Sequence, residues 1–431
     1  MKDELSGKRI LFANVPTDGH FNPLTGLAKE LQKSGCDVHW YTSKIFGNKL
    51  ERLDIVHHQF TTAKELNGQN IQTAIPEFKT ATGPEKGKLY LKNLFIDRAE
   101  EYFEDISAIY NSEFRFDLIV ADGMFSALPL VRYKLGVPVI AVGVVPLIED
   151  SIDTAPAGRG LPPAYTDELR QHYADLYKQK YRLIEDLIVK YRSDLNNYGV
   201  KIKGSFIFDS LVKEANIYLQ IGTPGFEYKR SDMGNNIRFV GALKPYKAPG
   251  NQMSWFDERL NNYKKIVLVT QGTLEGDVNK LLVPVLHAFK SKDILVIATT
   301  GGSGTKELRE KYGAENIIVE DFIPFDDIMP YVSVFITNGG YGGTILSISY
   351  GVPMVCAGVL ELKNEINARV EHFGLGIDLK TESPTPQAIF AAANLIMKNP
   401  SYRNNTLKLN EEMRNYNSLD LCKQSIEELL R

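Results

Sequence analysis

The sequence predicts an α/β protein with two facing Rossmann-like domains, each built on a parallel sheet. Short apolar runs typical of buried parallel strands alternate with amphipathic helical stretches along both halves of the chain. Turns rich in glycine directly follow several of these apolar runs. A chain of 431 residues is also too long for one typical core and long enough for two domains.

The first half opens with a strand–helix–strand unit. The apolar run ILFANV at residues 10–15 suits a buried strand. Asn22 and Pro23 predict the start of the following helix, because Asn is a favoured N-cap and Pro a favoured first helical residue. Further strands are predicted at residues 38–42, 116–122 and 137–145.

The second half repeats this alternation after an insertion and a candidate linker. Residues 164–198 form a long predicted amphipathic helix, whose tyrosines are typical either of a substrate pocket or of half-buried core. Residues 244–253 are rich in Pro, Gly and Lys and form the candidate linker. We therefore expect domains at residues 1–245 and 251–415, with a C-terminal helix at residues 416–431. In the second half, strands with their turns are predicted at residues 266–273, 294–302, 332–340 and 352–358.

Composition argues against several classes of partner. Lys and Arg total 50 against 53 Asp and Glu, so there is no basic excess to hold nucleic acid. Cys36, Cys356 and Cys422 are scattered without metal spacing, which indicates a reducing compartment and no disulfide framework. The N-terminal apolar run is short and follows acidic residues, and no window approaches about 18 uncharged apolar residues. We expect a cytoplasmic protein without a transmembrane segment, with surface association left open, that is monomeric or weakly dimeric.

Residues 337–344, TNGGYGGT, form the strongest candidate binding site. An apolar strand runs into this segment and an apolar helix follows it. Glycines allow backbone N–H groups to approach a ligand closely, and a helix N-terminus favours an anion. The turn matches neither the Walker A pattern, which needs a Lys, nor the spaced Rossmann fingerprint. Taken alone, it is equally typical of a tight turn that uses its glycines only for geometry.

Two further segments extend this candidate site. The turn QGT at residues 271–273 also ends a predicted strand, so it faces the same edge of the sheet. Two anion-binding turns at adjacent strand ends suit a diphosphate better than a single phosphate. The segment FIPF at residues 322–325 places aromatic side chains after another strand, where they stack on a nucleotide base or simply pack in the core.

In the first half, His20 and Asp122 are candidates for acid–base chemistry. His20 lies between a predicted strand and helix, at the sheet edge where a general base belongs. Asp122 ends another strand, and a carboxylate there holds a histidine in one tautomer, as in catalytic triads. The alternatives are a polar surface histidine and an acid that caps the following helix. The remaining histidines show no metal spacing.

Together, these segments resemble the family-1 glycosyltransferases, which have the GT-B fold and move sugars from UDP-sugars, many of them to small lipophilic acceptors. The resemblance covers nearly the whole chain and is strongest over residues 322–379, in TNGGYGGT, YGVPMVCAG and KNEINARVEHFGLGIDL. The N-terminal match is DGHFNPLTGLAKELQKSG at residues 18–35. The Asn-Gly-Gly-Tyr-Gly-Gly turn is similar to that of a bacterial subset that acts on small molecules of the macrolide type.

The resemblance implies a role for each domain. The N-terminal domain binds the acceptor, the C-terminal domain binds the nucleotide sugar, and the helix at residues 416–431 crosses back to the N-terminal domain. His20 corresponds to the general base that takes the proton from the acceptor hydroxyl, and Asp122 to the partner that orients it. The implied donor site comprises Gly19, Gly272, Thr273, Phe322, Ile323, Asn338, Gly340, Gly342, Gly343, Thr344, Glu361, Lys363 and Asn364.

Within the implied donor site, each segment has its own contact. The two turns, with the hydroxyls of Thr273 and Thr344, contact the diphosphate. Phe322 stacks on the base, and Ile323 offers the backbone groups that hydrogen-bond it. Residues 361–364 lie in the loop that holds the sugar hydroxyls.

Three positions depart from the family's pattern. Asn338 stands where many members have a His, and Leu346 stands where many have a Glu that grips the ribose. Lys363-Asn364 replaces the usual acid–Gln pair. We therefore expect neutral groups to hold most of the diphosphate, and a ribose contact that comes from elsewhere.

The resemblance implies an inverting, UDP-sugar-dependent hexosyltransferase, with glucose as the expected sugar and a small lipophilic or phenolic acceptor. The UDP-sugar is a co-substrate, and we expect no bound cofactor. We also expect no required metal, because no Asp-x-Asp pair ends a predicted strand. The alternatives are a catalytically silent protein of the same fold that activates a partner, and a sugar-nucleotide epimerase. A nicotinamide oxidoreductase is disfavoured, since neither half has G-x-G-x-x-G after its first strand.

Overall fold

Two parallel β-sheets organise the chain in the computed structural model, which describes residues 4–248, 254–272 and 275–431. Thr273, the start of the second domain at residue 251 and the end of the candidate linker lie outside the described residues. One sheet belongs to each half of the chain. The predicted α/β class with two parallel-sheet domains is confirmed.

The N-terminal sheet has seven parallel strands. They are β1 (Arg9–Ala13), β2 (Asp37–Thr42), β3 (Val56–Gln59), β4 (Leu118–Asp122), β5 (Val139–Gly143), β6 (Ile217–Ile221) and β7 (Ile237–Gly241). Their order is β3-β2-β1-β4-β5-β6-β7. Strands β4 and β5 are buried along their whole length, as expected for continuous apolar runs covered on both faces. Across the sheet, the sequence order of the strands changes direction between β1 and β4, which pair directly with each other.

The C-terminal sheet has six parallel strands and the same kind of reversal. They are β8 (Ile266–Thr270), β9 (Leu295–Thr299), β10 (Ile317–Glu320), β11 (Val334–Thr337), β12 (Met354–Cys356) and β13 (Gly376–Asp378). Their order is β10-β9-β8-β11-β12-β13, so the reversal lies between β8 and β11.

Helices cover both sheets. The described α-helices are α1 (Asp18–Lys33), α2 (Gly47–Arg52), α3 (Ile71–Ala74), α4 (Gly83–Leu91), α5 (Arg98–Ala108), α6 (Leu128–Leu130), α7 (Asp167–Leu183), α8 (Glu185–Asn197), α9 (Ile207–Glu214), α10 (Leu282–Phe289), α11 (Thr305–Tyr312), α12 (Phe325–Ile328), α13 (Tyr341–Ser349), α14 (Lys363–His372), α15 (Pro386–Lys398), α16 (Pro400–Arg414) and α17 (Ser418–Leu430). Segments of π-helix extend α4, α5 and α6. None of the helices in the described ranges combines the length and the apolar character needed to cross a bilayer.

Helix α1 begins about one turn earlier than predicted. Thr17, in an extended conformation, is the N-cap, and Pro23 lies inside the helix rather than at its first position. A proline fits a helix backbone but lacks the N–H that would bond four residues back. The carbonyl of Gly19 therefore cannot accept the usual helical bond from the residue four positions ahead. His20 belongs to the first turn of the helix instead of a loop.

The predicted long helix at residues 164–198 is two helices, α7 and α8, which meet at Ile184. Its tyrosines contribute to the fold in the way that the core interpretation predicts. Tyr173 is buried and donates to the Pro162 carbonyl over 2.7 Å, and Tyr191 is buried and donates to the Ser126 carbonyl over 2.9 Å.

The last helix, α17, returns to the N-terminal domain and packs against α1 and β7. Cys422 and Ile426 are fully buried there. At the surface of the same contact, Arg238 of β7 makes two hydrogen bonds, of 2.7 and 2.8 Å, with the Glu428 carboxylate. The largest hydrophobic cluster includes strand residues of both sheets.

Candidate active site

The predicted site residues lie at the two points where the strand order reverses. His20 follows β1 and Asp122 ends β4. These two strands flank the reversal in the N-terminal sheet. The two glycine turns follow β8 and β11, which flank the reversal in the C-terminal sheet. In open parallel sheets, ligands bind beyond the carboxyl ends of the strands at such points.

Tyr341 brings the two sheet edges together. It is the first residue of α13, and its hydroxyl donates to the carbonyl of Ile221, at the end of β6, over 2.6 Å. The Gln220 side chain donates to the same hydroxyl over 3.3 Å. The glycine turn of the C-terminal domain therefore contacts the N-terminal domain directly through its own tyrosine.

His20 and Asp122 form a hydrogen-bonded pair. Their Nδ1 and Oδ1 atoms are 2.8 Å apart, Asp122 is fully buried, and the His20 side chain is 15% exposed. Asp122 also accepts the amides of Val15 over 2.7 Å and Met124 over 2.9 Å, so its position is fixed from three sides. Since the carboxylate accepts at Nδ1, the Nδ1 atom carries the hydrogen and Nε2 of neutral His20 is the basic atom. Nε2 has no hydrogen bond to any residue in the described ranges.

Gly19 leaves open space beside His20. It is exposed within the first turn of α1, and a Cβ atom at this position would meet nothing within 4 Å. A glycine inside a helix costs about 1 kcal/mol relative to alanine. Because no contact within the described chain requires it, the position is suited to a group from outside the chain.

In the glycine turn, α13 opens with free amides. Gly340 is the N-cap, and the first intrahelical bond runs from the Thr344 amide to the Gly340 carbonyl over 3.0 Å. The amides of Gly342 and Gly343 precede this bond and have no hydrogen bond within the described residues. These N–H groups, at the positive end of the helix dipole, are ready to bind an anion.

Thr344 differs from the expectation. Its side chain is fully buried, and its hydroxyl donates to the Gly340 carbonyl over 3.1 Å. Its amide is also engaged in the helix. Thr344 therefore orders the first turn of α13 from within and presents neither its hydroxyl nor its amide to the cleft.

The individual glycines of the turn have different reasons to be glycine. Gly339 has φ +85°, and a Cβ atom there would lie 1.9 Å from Oδ1 of Asn367, so its role is geometric. Gly342 is exposed, and a Cβ atom there would meet nothing within 4 Å. The geometric interpretation holds for Gly339, whereas Gly342 is the position that leaves room for a ligand.

Asn338 joins the two turns. Its side-chain amide donates to the Gln271 carbonyl, which links the end of β11 to the end of β8. Gly272, with φ +78°, is exposed beside it, and a Cβ atom there would lie 3.9 Å from the Asn338 amide nitrogen. One N–H of Asn338 is therefore used within the protein, which leaves the second for a ligand.

The segment after β10 separates the two aromatic residues that the sequence grouped together. Phe322 is 69% exposed, whereas Phe325 packs against the core. Ile323 is buried, yet neither its N–H nor its carbonyl hydrogen-bonds any residue that the structure describes. Buried backbone groups are almost always paired, so this donor–acceptor pair beside an exposed ring suits the edge of a planar base.

The loop before α14 has a strained backbone. Glu361 and Leu362 are consecutive non-glycine residues in the left-handed region, with φ of +55° and +66°. Each such residue costs about 1–3 kcal/mol, and strain of this kind clusters at functional sites. The Glu382 carboxylate holds the loop by accepting the amides of Val359 and Leu360. Leu362 packs against the core of the N-terminal domain.

Asn364 also contacts the N-terminal domain rather than open solvent. Its side-chain amide donates to the Gly158 carbonyl over 2.6 Å. Glu365 accepts the Gly158 and Gly160 amides over 2.9 and 2.7 Å. The expected contact of Asn364 with a sugar hydroxyl therefore competes with a contact between the domains.

Two polar residues that the sequence did not single out tie α14 to the rest of the protein. Arg369 is buried and donates to Oε1 of Glu227, in the N-terminal domain, over 2.6 and 3.0 Å. Burial opposes ionisation of Glu227, but the charges of Arg369 and Arg230 hold its pKa below the ordinary value. Asn367, fully buried, donates to the Gly358 carbonyl over 2.9 Å and packs on the glycine turn. The NAR motif at residues 367–369 is the signal that points to both residues, whereas no local pattern points to Glu227.

The described ranges contain no group of three or more His, Cys, Asp or Glu side chains that could hold a metal ion.

Known proteins resemble this chain in both sequence and fold. The model of the family "Erythromycin biosynthesis protein CIII-like, C-terminal domain" matches residues 285–428. The chain is 32% identical to 4'-demethylrebeccamycin synthase of Lentzea aerocolonigenes, over 94% of this chain and 96% of that protein. It is 29% identical to UDP-glycosyltransferase 2 of Phaeomoniella chlamydospora, over 97% and 95%. The crystal structure of the kitacinnamycin glycosyltransferase superposes with a TM-score of 0.75 at 18% identity, over 99% and 100% of the two chains, and thus shares the fold.

Proposed function

The chain belongs to the family-1 glycosyltransferases and has their GT-B fold, and we propose that it is an inverting enzyme acting on small natural-product-like acceptors. It moves a sugar, glucose in the first instance, from a UDP-sugar to a hydroxyl of a lipophilic or phenolic molecule. The observation that carries this proposal is the ordered His20–Asp122 pair at one sheet edge, opposite free helix amides at the other.

His20 acts as the general base. Nε2 takes the proton from the acceptor hydroxyl as its oxygen attacks the anomeric carbon from the side opposite the leaving group. Asp122 keeps Nδ1 protonated and stabilises the imidazolium that forms. A catalytically silent helper would have no need for this pair, so its complete hydrogen bonding favours the enzyme.

The glycine turn receives the leaving group. The bond from the anomeric carbon to the diphosphate breaks, and negative charge grows on the departing oxygen. The amides of Gly342 and Gly343 are preorganised to meet that charge. Preorganised donors of this kind are worth about 3 kcal/mol each in transition-state stabilisation. Thr344, buried and internally bonded, contributes only by shaping the turn.

The segment after β10 suits the base of the donor. Uracil and thymine both present an N–H donor next to a carbonyl acceptor, which complements the carbonyl and N–H of Ile323. The exposed Phe322 ring provides a surface on which the base stacks. A pyrimidine nucleotide is therefore the donor carrier that we propose.

An open cavity of about 220 Å³ next to α1 is the proposed entry of the acceptor. Pro16, Thr17 and Asp18, which precede His20 in the chain, line it together with Ile45 and Phe46. This volume is below the usual range for a complete small-molecule site, about 300–1,000 Å³, so the cavity suits part of an acceptor. The mixed apolar and polar lining suits a small molecule with an apolar body and a few hydroxyls.

A donor and acceptor panel tests the proposal. The purified protein is incubated with UDP-glucose, UDP-galactose, UDP-glucuronate or dTDP-glucose and a pool of phenols, terpenoids and macrolides, with and without EDTA. We expect released UDP and a product of acceptor plus hexose mass, unaffected by EDTA. Proton NMR should show that the new glycosidic bond has the opposite anomeric configuration to the donor. UDP binding without any glycoside from the whole panel would contradict the proposal.

A His20→Ala variant tests the base. It should bind UDP like the wild-type protein but lose about 10²-fold or more in turnover with an alkyl alcohol acceptor. Acidic phenols should be affected less, since they lose their proton more readily. Near-normal turnover of the alkyl alcohol would show that another group takes the proton.

A further inference from the structure

Lys363, the first residue of α14, lies along the glycine turn. Its side chain is only 15% exposed. A Cβ atom on Gly358, which follows β12, would lie 3.0 Å from Cδ of Lys363 and 2.2 Å from the carbonyl oxygen of Asn338. The aliphatic part of the Lys363 side chain therefore lies close to the start of the glycine turn, with Gly358 next to both.

The ammonium group pairs with the loop before α14, and its charge reaches the segment after β8. Nζ is 3.1 Å from Oε2 of Glu361. Its charge also acts on Glu275, in the segment after β8. Burial raises the pKa of Glu275, but hydrogen bonds from Lys280 and Asp277 and the charges of Lys280 and Lys363 outweigh it, so the pKa is lowered. In the sheet, β11 lies between β12 and β8. A side chain that reaches from the β12 side towards the β8 side passes over the end of β11, where α13 begins.

The internal partner of this ammonium group is weak. Glu361 is 60% exposed and sits on the strained left-handed loop. An exposed ion pair contributes little to stability, and the hydrogen bond between these two side chains lies at the surface. A cation with a weak partner, on the helix that borders the glycine turn, is suited to an anion from outside the chain.

We propose that Lys363 binds the diphosphate of the donor and neutralises the nucleoside diphosphate as it leaves. This inference rests on the proposed function and changes two expectations from the sequence, namely that Lys363 holds a sugar hydroxyl and that neutral groups hold most of the diphosphate. Lysine is a common phosphate ligand that acts as a compact point charge.

The charge balance of the transfer is complete with this assignment. The bond between the anomeric carbon and the β-phosphate oxygen breaks, and its electron pair stays on that oxygen. The acceptor oxygen forms the new bond to carbon, and its proton moves to Nε2 of His20. Lys363 keeps its proton throughout and stabilises the added negative charge on the diphosphate.

Substitution of Lys363 tests the inference by binding alone. Calorimetry measures the affinities of UDP and uridine for the wild-type protein and for Lys363→Gln and Lys363→Arg. Lys380→Gln is the matched control, because Lys380 follows β13 in the same domain and pairs with Glu371 on the same helix, over 2.9 Å. We expect Lys363→Gln to weaken UDP about tenfold or more and leave uridine unchanged. Lys363→Arg should keep most of the UDP affinity, and Lys380→Gln all of it.

Other outcomes overturn the inference. Equal losses for UDP and uridine would indicate a structural role, and an unchanged UDP affinity would show that the ammonium group does not contact the diphosphate. An effect confined to UDP-glucuronate would assign Lys363 to a sugar carboxylate instead. If the wild-type protein binds UDP but transfers no sugar in the panel, the proposed function fails, while these affinities still decide the role of Lys363.

Discussion

Gly342→Ala should make the protein more stable and worse at binding its donor. A Cβ atom at this position would meet nothing within 4 Å of the described chain, and the residue lies in the first turn of α13. Replacing glycine by alanine within a helix stabilises it by about 0.5–1 kcal/mol. With about 2.1 cal/mol/K of unfolding entropy per residue, this corresponds in a chain of 431 residues to a rise of roughly 0.5–1 °C in melting temperature.

The loss of affinity follows from the same geometry. The added methyl group occupies the space in front of the free amides, through which a phosphate oxygen approaches Gly342 and Gly343. A hydrogen bond to a charged group contributes about 1.5–3 kcal/mol. Losing one of them weakens UDP about 10- to 100-fold. The affinity for uridine, which has no phosphate, should remain unchanged.

Gly87→Ala is the matched control. Gly87 lies in α4, and a Cβ atom there would also meet nothing within 4 Å. This variant should gain similar stability and keep the wild-type affinity for UDP. Scanning calorimetry and isothermal titration with UDP measure both quantities. A Gly342→Ala protein that binds UDP as tightly as the control would refute the idea that this glycine makes room for the donor.

Two further predictions concern the contacts between domains. Glu227→Gln leaves Arg369 with a weaker buried partner and should lower the free energy of unfolding in urea by about 3 kcal/mol at pH 7. Because the pKa of Glu227 is lowered in the folded protein, its ion pair stabilises fully above the ordinary Glu pKa, about 4.3, and is lost as pH falls through the folded pKa. The variant should therefore lose less stability than wild type between pH 5 and about pH 3. Deleting Asn417–Arg431 removes the buried Ile426 and should lower the melting temperature, since that side chain alone contributes about 2 kcal/mol; an unchanged melting curve would contradict this.

Local sequence patterns were sufficient for most of the sheets. The apolar runs at β1, β4 and β8 identified buried strands because covered parallel strands require continuous apolar residues. Strands β3, β6, β7 and β13 were not predicted, and β6 illustrates one reason. Its Gln220 interrupts the apolar run, yet this side chain is fully buried and bonds Tyr341 of the other domain. A polar residue whose hydrogen bonds run to distant backbone carbonyls, such as that of Val145, and to the other domain looks like a loop residue in the sequence.

In the candidate site, too, some features follow from the local sequence and others depend on residues far away in the chain. The glycine turn and the pair of His20 with Asp122 follow from strand ends, so the topology places them correctly. The role of Thr344 depends on which residue is the N-cap, because that choice decides which amides are free. The contact between Asn364 and Gly158 joins residues 206 positions apart, and no local pattern reports it.

Helix α14 interleaves residues that serve the donor with residues that hold the other domain. Lys363 borders the glycine turn, Glu365 and Arg369 bind the N-terminal domain, and Asn367 supports the turn from beneath. Exchange of whole domains between related enzymes at the segment near residue 248 would separate Glu227 from Arg369. A hybrid enzyme that is meant to combine one parent's acceptor range with another's sugar must therefore inherit both ends of this pair, or have one end rebuilt.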